Sequence, residues 1–142
     1  AYHFAQKLRE ELDVPVGIIN TPKGGTVIES WLSLEAVKDD AKVQDTLEKY
    51  DLFYGENEWS KKAGLMSTLY NQRIAPLEGM NVAGTIWYQG ESNAGRSHEY
   101  GALMSALITN WRELWQKPEL PFLLVQLPNF MEKHEKPTDS GW

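Results

Sequence analysis

The stretch TIWYQGESNAG, residues 85–95, reads as a strand, a sharp glycine turn and the start of a helix, with Ser92 at the bend. GESNA in that place is close to the G-x-S-x-G elbow, which lifts a nucleophilic serine above an α/β-hydrolase sheet. Ala94 is small enough to let strand and helix pack closely. The chemistry would be acyl transfer to the serine oxygen, and that needs a base. A hydroxyl without a positioned histidine remains a weak nucleophile. Only His98 and His134 follow Ser92. Neither comes after an apolar strand with an acidic residue between, and both read as surface histidines. Two readings stand: Ser92 attacks, or the turn serves a nucleophile elsewhere.

The second reading makes the turn part of an oxyanion hole. Acyl transfer builds negative charge on a carbonyl oxygen, and pre-aimed N–H donors stabilise it. In KGGT, residues 23–26, Gly24 and Gly25 let backbone approach a ligand and leave amides free to face it. The side-chain amide of Gln89, at the end of TIWYQ, offers a second donor. Ionised Glu91 only accepts hydrogen bonds, so bracing its own loop is its expected task. Asn93 can donate, cap the following helix, or both.

These loops need a scaffold at the ends of parallel strands. PVGIIN (15–20), VAGTIWYQ (82–89) and FLLVQL (122–127) read as buried strands, each apolar throughout. Residues 2–12 read as a surface helix. Val43, Leu47, Tyr50 and Tyr54 suggest another, GENEWSKKAG reads as an exposed loop, and Met66 to Leu77 forms an apolar stripe broken by Pro76. From Ser97 to Trp115, seven large apolar residues share one helical face. Alternating strands and helices indicate an α/β domain, with ligands bound beyond the carboxyl ends of the strands.

Composition agrees. The chain has 142 residues, 42% hydrophobic and 24% charged, enough for one domain with a core. A net charge of −6 without any basic stripe argues against nucleic acid as partner. No apolar run reaches the roughly 20 residues of a membrane-spanning helix. Cysteine is absent, which excludes disulfides and a thiol nucleophile. The opening AYHFAQKLREEL is an amphipathic helix and not a secretory signal. If a longer parent protein exists, whether it is secreted or periplasmic is not set by these residues.

VGIINTPKGGTVIESW, then LYNQRIAPLEGMNVAGTIWYQGESNA, NWRELW and LPFLLVQLPNF together resemble the sialate O-acetylesterases of the SGNH hydrolase superfamily. The match covers nearly the whole chain and is weakest over residues 38–64. The resemblance implies a three-layer α/β/α domain with a mainly parallel, flavodoxin-like sheet. It implies removal of O-acetyl groups from sugars such as sialic acid, by Ser-His-Asp chemistry without metal or organic cofactor. Carried over residue by residue, Gly25 takes the place of the backbone donor and Gln89 that of the side-chain donor. Gly24, Gly90, Glu91 and Asn93 support them, and Ser92 falls beside the site.

That family's nucleophilic serine lies in a GQSN-like block on the first strand, and its Asp and His in a D-x-x-H block; neither block occurs here. The chain is thus expected to correspond to the central part of such a domain, short of it at both ends. It is expected to be inactive or nearly so alone, and to self-associate through an exposed sheet edge. A non-catalytic carbohydrate-binding module is the alternative, with Trp31, Trp59, Trp87 or Tyr88 stacking on sugar rings. A structural or interaction domain is a third. Arg112 is expected to pair with a helix neighbour or, alternatively, with a substrate carboxylate.

Overall fold

The computed structural model describes residues 1–128 and 130. Helix α1 (Tyr2–Leu12) leads, through an extended segment, to 3-10 turns at Ile28–Trp31 and Leu34–Val37. Helices α2 (Ala41–Lys49) and α3 (Glu58–Ala63) follow, then a π turn at Tyr70–Ile74 that runs into a 3-10 turn at Ala75–Leu77. Strand β1 (Thr85–Trp87), a 3-10 segment (Glu91–Arg96), helix α4 (Ser97–Leu114) and strand β2 (Phe122–Leu124) close the described chain. None of these helices is long and apolar enough to cross a membrane.

β1 and β2 pair in parallel, with Thr85 opposite Phe122 and Trp87 opposite Leu124. Parallel neighbours need a crossover, and α4 supplies it. The fold is α/β with a parallel sheet, as its alternating elements foretell. α4 lies where the apolar stripe predicts a helix and buries Leu103, Met104, Leu107 and Trp111. Trp111 is the hub. Its ring meets Trp87 of β1 edge-on at 5.7 Å and Phe122 of β2 at 5.9 Å. Its indole N–H donates to the carbonyl of Trp31 at 3.0 Å. One side chain therefore ties helix, ladder and the 3-10 turn after the glycine loop. Trp31 completes the cluster, edge-on to Trp87 at 5.9 Å. Offset and edge-on pairs of this kind add about 0.5–1.5 kcal/mol each beyond the area they bury.

Several expectations are corrected. Residues 15–20 take no regular secondary structure and join no ladder among the described residues, and Ile18 and Ile19 are 45% and 46% exposed. A β-branched run favours extension, but only a neighbouring strand makes it part of a sheet. The ladder is covered on one side only: Ile86 and Leu123, opposite each other, are 41% and 46% exposed. Among the described residues Arg112 pairs with no acid. Its Nε and one terminal nitrogen donate to the carbonyl of Leu120 at 3.2 and 3.1 Å, which fixes the return from α4 into β2.

The segment expected to be an exposed loop contains α3. Asn57 caps it by accepting from the Ser60 amide at 2.8 Å. The corner before it is built on Asp51, whose carboxylate accepts from the Gly55 and Asn57 amides, the Asn57 side chain and the Ser60 hydroxyl. Short polar residues make such local bonds where periodicity shows nothing. The Asn57 amide bond, with the others, holds the Asp51 carboxyl below its usual value of 3.8. A depressed carboxylate stabilises the fold fully above its unfolded value, and that contribution fades as pH falls through the folded one. Asp51→Asn is therefore expected to lower the melting temperature at neutral pH. The deficit should shrink as pH drops below about 3.8, read by thermal melts across pH 2–7.

Candidate active site

Two loops meet beyond the end of β1. One is the glycine turn, which enters the buried segment Thr26–Trp31; the other is the turn from Gln89 into the 3-10 segment. They bound a cleft of about 340 Å³, lined by Lys23, Gly24, Gly25, Thr26, Tyr88, Gln89, Glu91 and Ser92. Gly25 has φ +73°, and a Cβ there would meet nothing within 4 Å. Glycine is thus needed for the left-handed backbone and not for want of room. Among the described residues, the amides of Gly24 and Gly25 have no protein acceptor. Gly90 is different: a Cβ would come within 3.0 Å of Leu127.

Gln89 bridges the loops. Its amide nitrogen donates to the carbonyl of Thr26 at 2.8 Å and to Asn93 Oδ1 at 2.9 Å. Its Oε1 accepts from the Tyr100 hydroxyl at 2.8 Å. Tyr100 in turn accepts from the indole of Trp87 at 3.0 Å. Burial raises the Tyr100 pKa above 10.0, so the phenol keeps the proton it donates. A primary amide has two N–H groups, and both of Gln89's have protein acceptors. The donor expected to face substrate is, in this geometry, a strut holding the glycine turn. It reaches a ligand only by releasing one of those acceptors.

Asn93 is buried and does more than cap a helix. Its Oδ1 also accepts from the Ile28 amide at 3.0 Å, and its Nδ2 donates to Glu29 Oε2 at 2.9 Å. Glu29 is 0% exposed and lies 2.7 Å from Arg96, itself 5% exposed. Arg96 also reaches Glu99 at 2.8 Å and stacks its guanidinium 4.7 Å from the Tyr50 ring centroid. Burial works against the Arg96 charge, but the Glu29 and Glu99 carboxylates outweigh it, and its pKa is raised. Thr26 fixes the other end of the turn: it donates to the Lys23 carbonyl at 2.9 Å and accepts from the Trp31 indole at 3.0 Å.

Glu29, Arg96, Tyr100 and Thr26 were not singled out from sequence. A carboxylate inside the apolar run TVIESWL is the one signal that could have drawn attention to them. Ser92 lines the cleft, but no histidine does among the described residues. His98 is exposed and faces Glu99 at 3.5 Å. His134 and Asp139 lie outside the described residues. Of the aromatics considered for stacking, Trp31 and Trp87 are core, Trp59 stands against Tyr50 at 6.1 Å, and Tyr88 alone lines the cleft. Among the described residues no group of three or more acidic or histidine side chains could hold a metal ion.

The α/β scaffold thus presents a glycine turn and an amide-braced turn over one cleft. Residues 1–140 match the family of carbohydrate esterases described as sialic acid-specific acetylesterase, and the chain belongs to that family. It is 33% identical over 147 aligned positions to the sialate O-acetylesterases of Homo sapiens and of Pongo abelii, covering 98% of this chain. It spans about a quarter, 26%, of those relatives' length. Among solved structures, a carbohydrate acetylesterase from Xanthomonas citri superposes with a TM-score of 0.71 at 37% identity, over 89% of this chain and 25% of that one.

The clamp yields a stability prediction. Asn93→Ala removes three hydrogen bonds, two of them buried and crossing between the loops, and leaves the Ile28 amide and Glu29 Oε2 without that partner. It should cost about 2–4 kcal/mol, measured by denaturant unfolding, whereas Ser92→Ala should lie within about 0.5 kcal/mol of the parent.

Proposed function

We propose that these residues form the oxyanion-stabilising part of a carbohydrate O-acetylesterase site. The observation that carries this is that Gly24 and Gly25, whose amides have no acceptor among the described residues, line a cleft whose other wall is braced by Gln89 and Asn93. An acetyl carbonyl oxygen in that cleft receives the Gly25 N–H, with Gly24 beside it. Gln89 takes the second donor place by turning one N–H away from the Thr26 carbonyl. Gly90 and Glu91 shape the second loop around it. The substrate is an O-acetylated sugar, with sialic acid favoured by the names of the relatives. Tyr88 offers a ring face to the sugar, Lys23 a cation to a carboxylate and Glu91 an acceptor to hydroxyls.

A serine outside these residues attacks the acetyl carbon, and the sugar leaves as an alcohol carrying a proton from the histidine. Water then releases acetate from the acyl-enzyme. Ser92 is not that nucleophile in this reading: no histidine lines its cleft among the described residues, and His98 is exposed beside Glu99.

Two measurements follow. A fluorophosphonate, which reacts with activated serines, should leave the folded chain unlabelled. Acetate release from O-acetylated sialic acid should appear only when the family's serine and D-x-x-H blocks are joined to it. In that active form Gly25→Ala, which strains a left-handed position by about 1–2 kcal/mol, should lower kcat by about 10-fold or more. An adduct on Ser92, or full activity without added segments, would overturn the assignment. We also propose that the uncovered face of the ladder, with Ile86 and Leu123, makes the chain self-associate when it stands alone. Light scattering should then give a mass that rises with concentration; a stable monomer would refute it.

A further inference from the structure

We infer that Glu29 and Arg96 are positioning residues of the esterase site, fixing through Asn93 which way round the Gln89 amide faces. The inference rests on the proposed function for its kinetic consequence and on hydrogen-bond chemistry alone for the rest.

An amide side chain has two nearly isosteric ends, one donating and one accepting. Packing barely distinguishes them; only the polarity of their partners does. Asn93 sits with one end toward Glu29 and the other toward the Ile28 amide and Gln89. A carboxylate accepts and cannot donate. Glu29 is fully buried, its carboxylate lies 2.7 Å from Arg96, and its other oxygen accepts from the NH2 end of Asn93. The oxygen of Asn93 must then face Gln89 and Ile28. That leaves the nitrogen of Gln89 toward Asn93 and the Thr26 carbonyl, and its oxygen toward the Tyr100 phenol. The Ile28 amide, which can only donate, and the Thr26 carbonyl, which can only accept, hold the same sense, so the Glu29 carboxylate and the backbone together select one arrangement of the two amides.

Arg96 keeps this charge in place. Removing a buried carboxylate's partner would protonate or expel it, and a protonated Glu29 could donate. The second carboxylate, Glu99, and the Tyr50 ring hold the guanidinium from its other sides. None of these groups lines the cleft, so none touches substrate. They act on the reaction only through Asn93 and Gln89.

The decisive variants separate polarity from packing. Glu29→Gln is isosteric but presents either end to Asn93. Glu29→Gln combined with Arg96→Met also removes the unpaired charge, so it folds where the single variant fails. Glu29→Asp restores an acceptor-only group. In ¹⁵N-labelled protein the side-chain NH2 signals of Gln89 and Asn93 should form one set with slow exchange, in the parent and in Glu29→Asp. They should split or exchange about 10-fold faster in the double variant. In the complete enzyme the double variant should lower kcat by about 10-fold or more with KM within about twofold, since an oxyanion contact tightens only in the transition state. A single protected set of amide signals in the double variant, with kcat at the parent level, would overturn the inference. If the parent enzyme released no acetate, the proposed function would fall, and the amide signals alone would decide the positioning role.

Discussion

The cleft depends on a carboxylate that water cannot reach. Glu29 is fully buried in the turn that follows the glycine loop, and its charge is matched by Arg96 from the loop after β1. A buried ion pair is a poor source of stability, since desolvating both charges offsets much of their attraction. Its value here is directional. The carboxylate accepts from the NH2 end of Asn93, whose oxygen then accepts from Ile28 and Gln89. Two loops 64 residues apart in sequence are thereby held in one register.

The scaffold under these loops is equally specific. Trp111 of α4 touches β1 and β2 and donates to the carbonyl of Trp31, at the end of the turn that begins with Thr26. Trp31 in turn donates to the Thr26 hydroxyl, which bonds the Lys23 carbonyl. The glycine turn is therefore anchored from below by aromatic packing and from the side by amides. What stays unanchored are the amides of Gly24 and Gly25, the groups a ligand would need. Rigid surroundings and free donors are the combination that electrostatic preorganisation requires.

How much of this was legible follows from what kind of interaction each part uses. α4 came from periodicity, because burying one apolar face imposes a repeat that sequence displays, and β1 and β2 came from continuous apolar runs. The glycine turn and Gln89 came from residue type at strand ends. α3 was missed because it is nucleated by Asp51 and Asn57, through local polar bonds with no period. The segment 15–20 was over-read, since β-branched residues specify extension and say nothing of a partner. Glu29 and Arg96 were invisible for another reason. Charged residues are ordinarily solvated, and only the fold reveals a pair withdrawn from water.

The proposed function reads the opening ambiguity of GESNA on the same ground. A nucleophile elbow holds its serine up to a histidine. Here the residue that the turn grips is Asn93, drawn inward by three hydrogen bonds, while Ser92 stands at the wall of a cleft that no histidine lines among the described residues. The same short motif, strand–Gly–x–Ser–x–small, serves either purpose, because its geometry fixes only a sharp bend. Which residue carries the chemistry is decided by what waits beneath the bend. In this chain that is an acceptor-only charge, and a charge of that kind orients donors; it does not activate a hydroxyl it never meets.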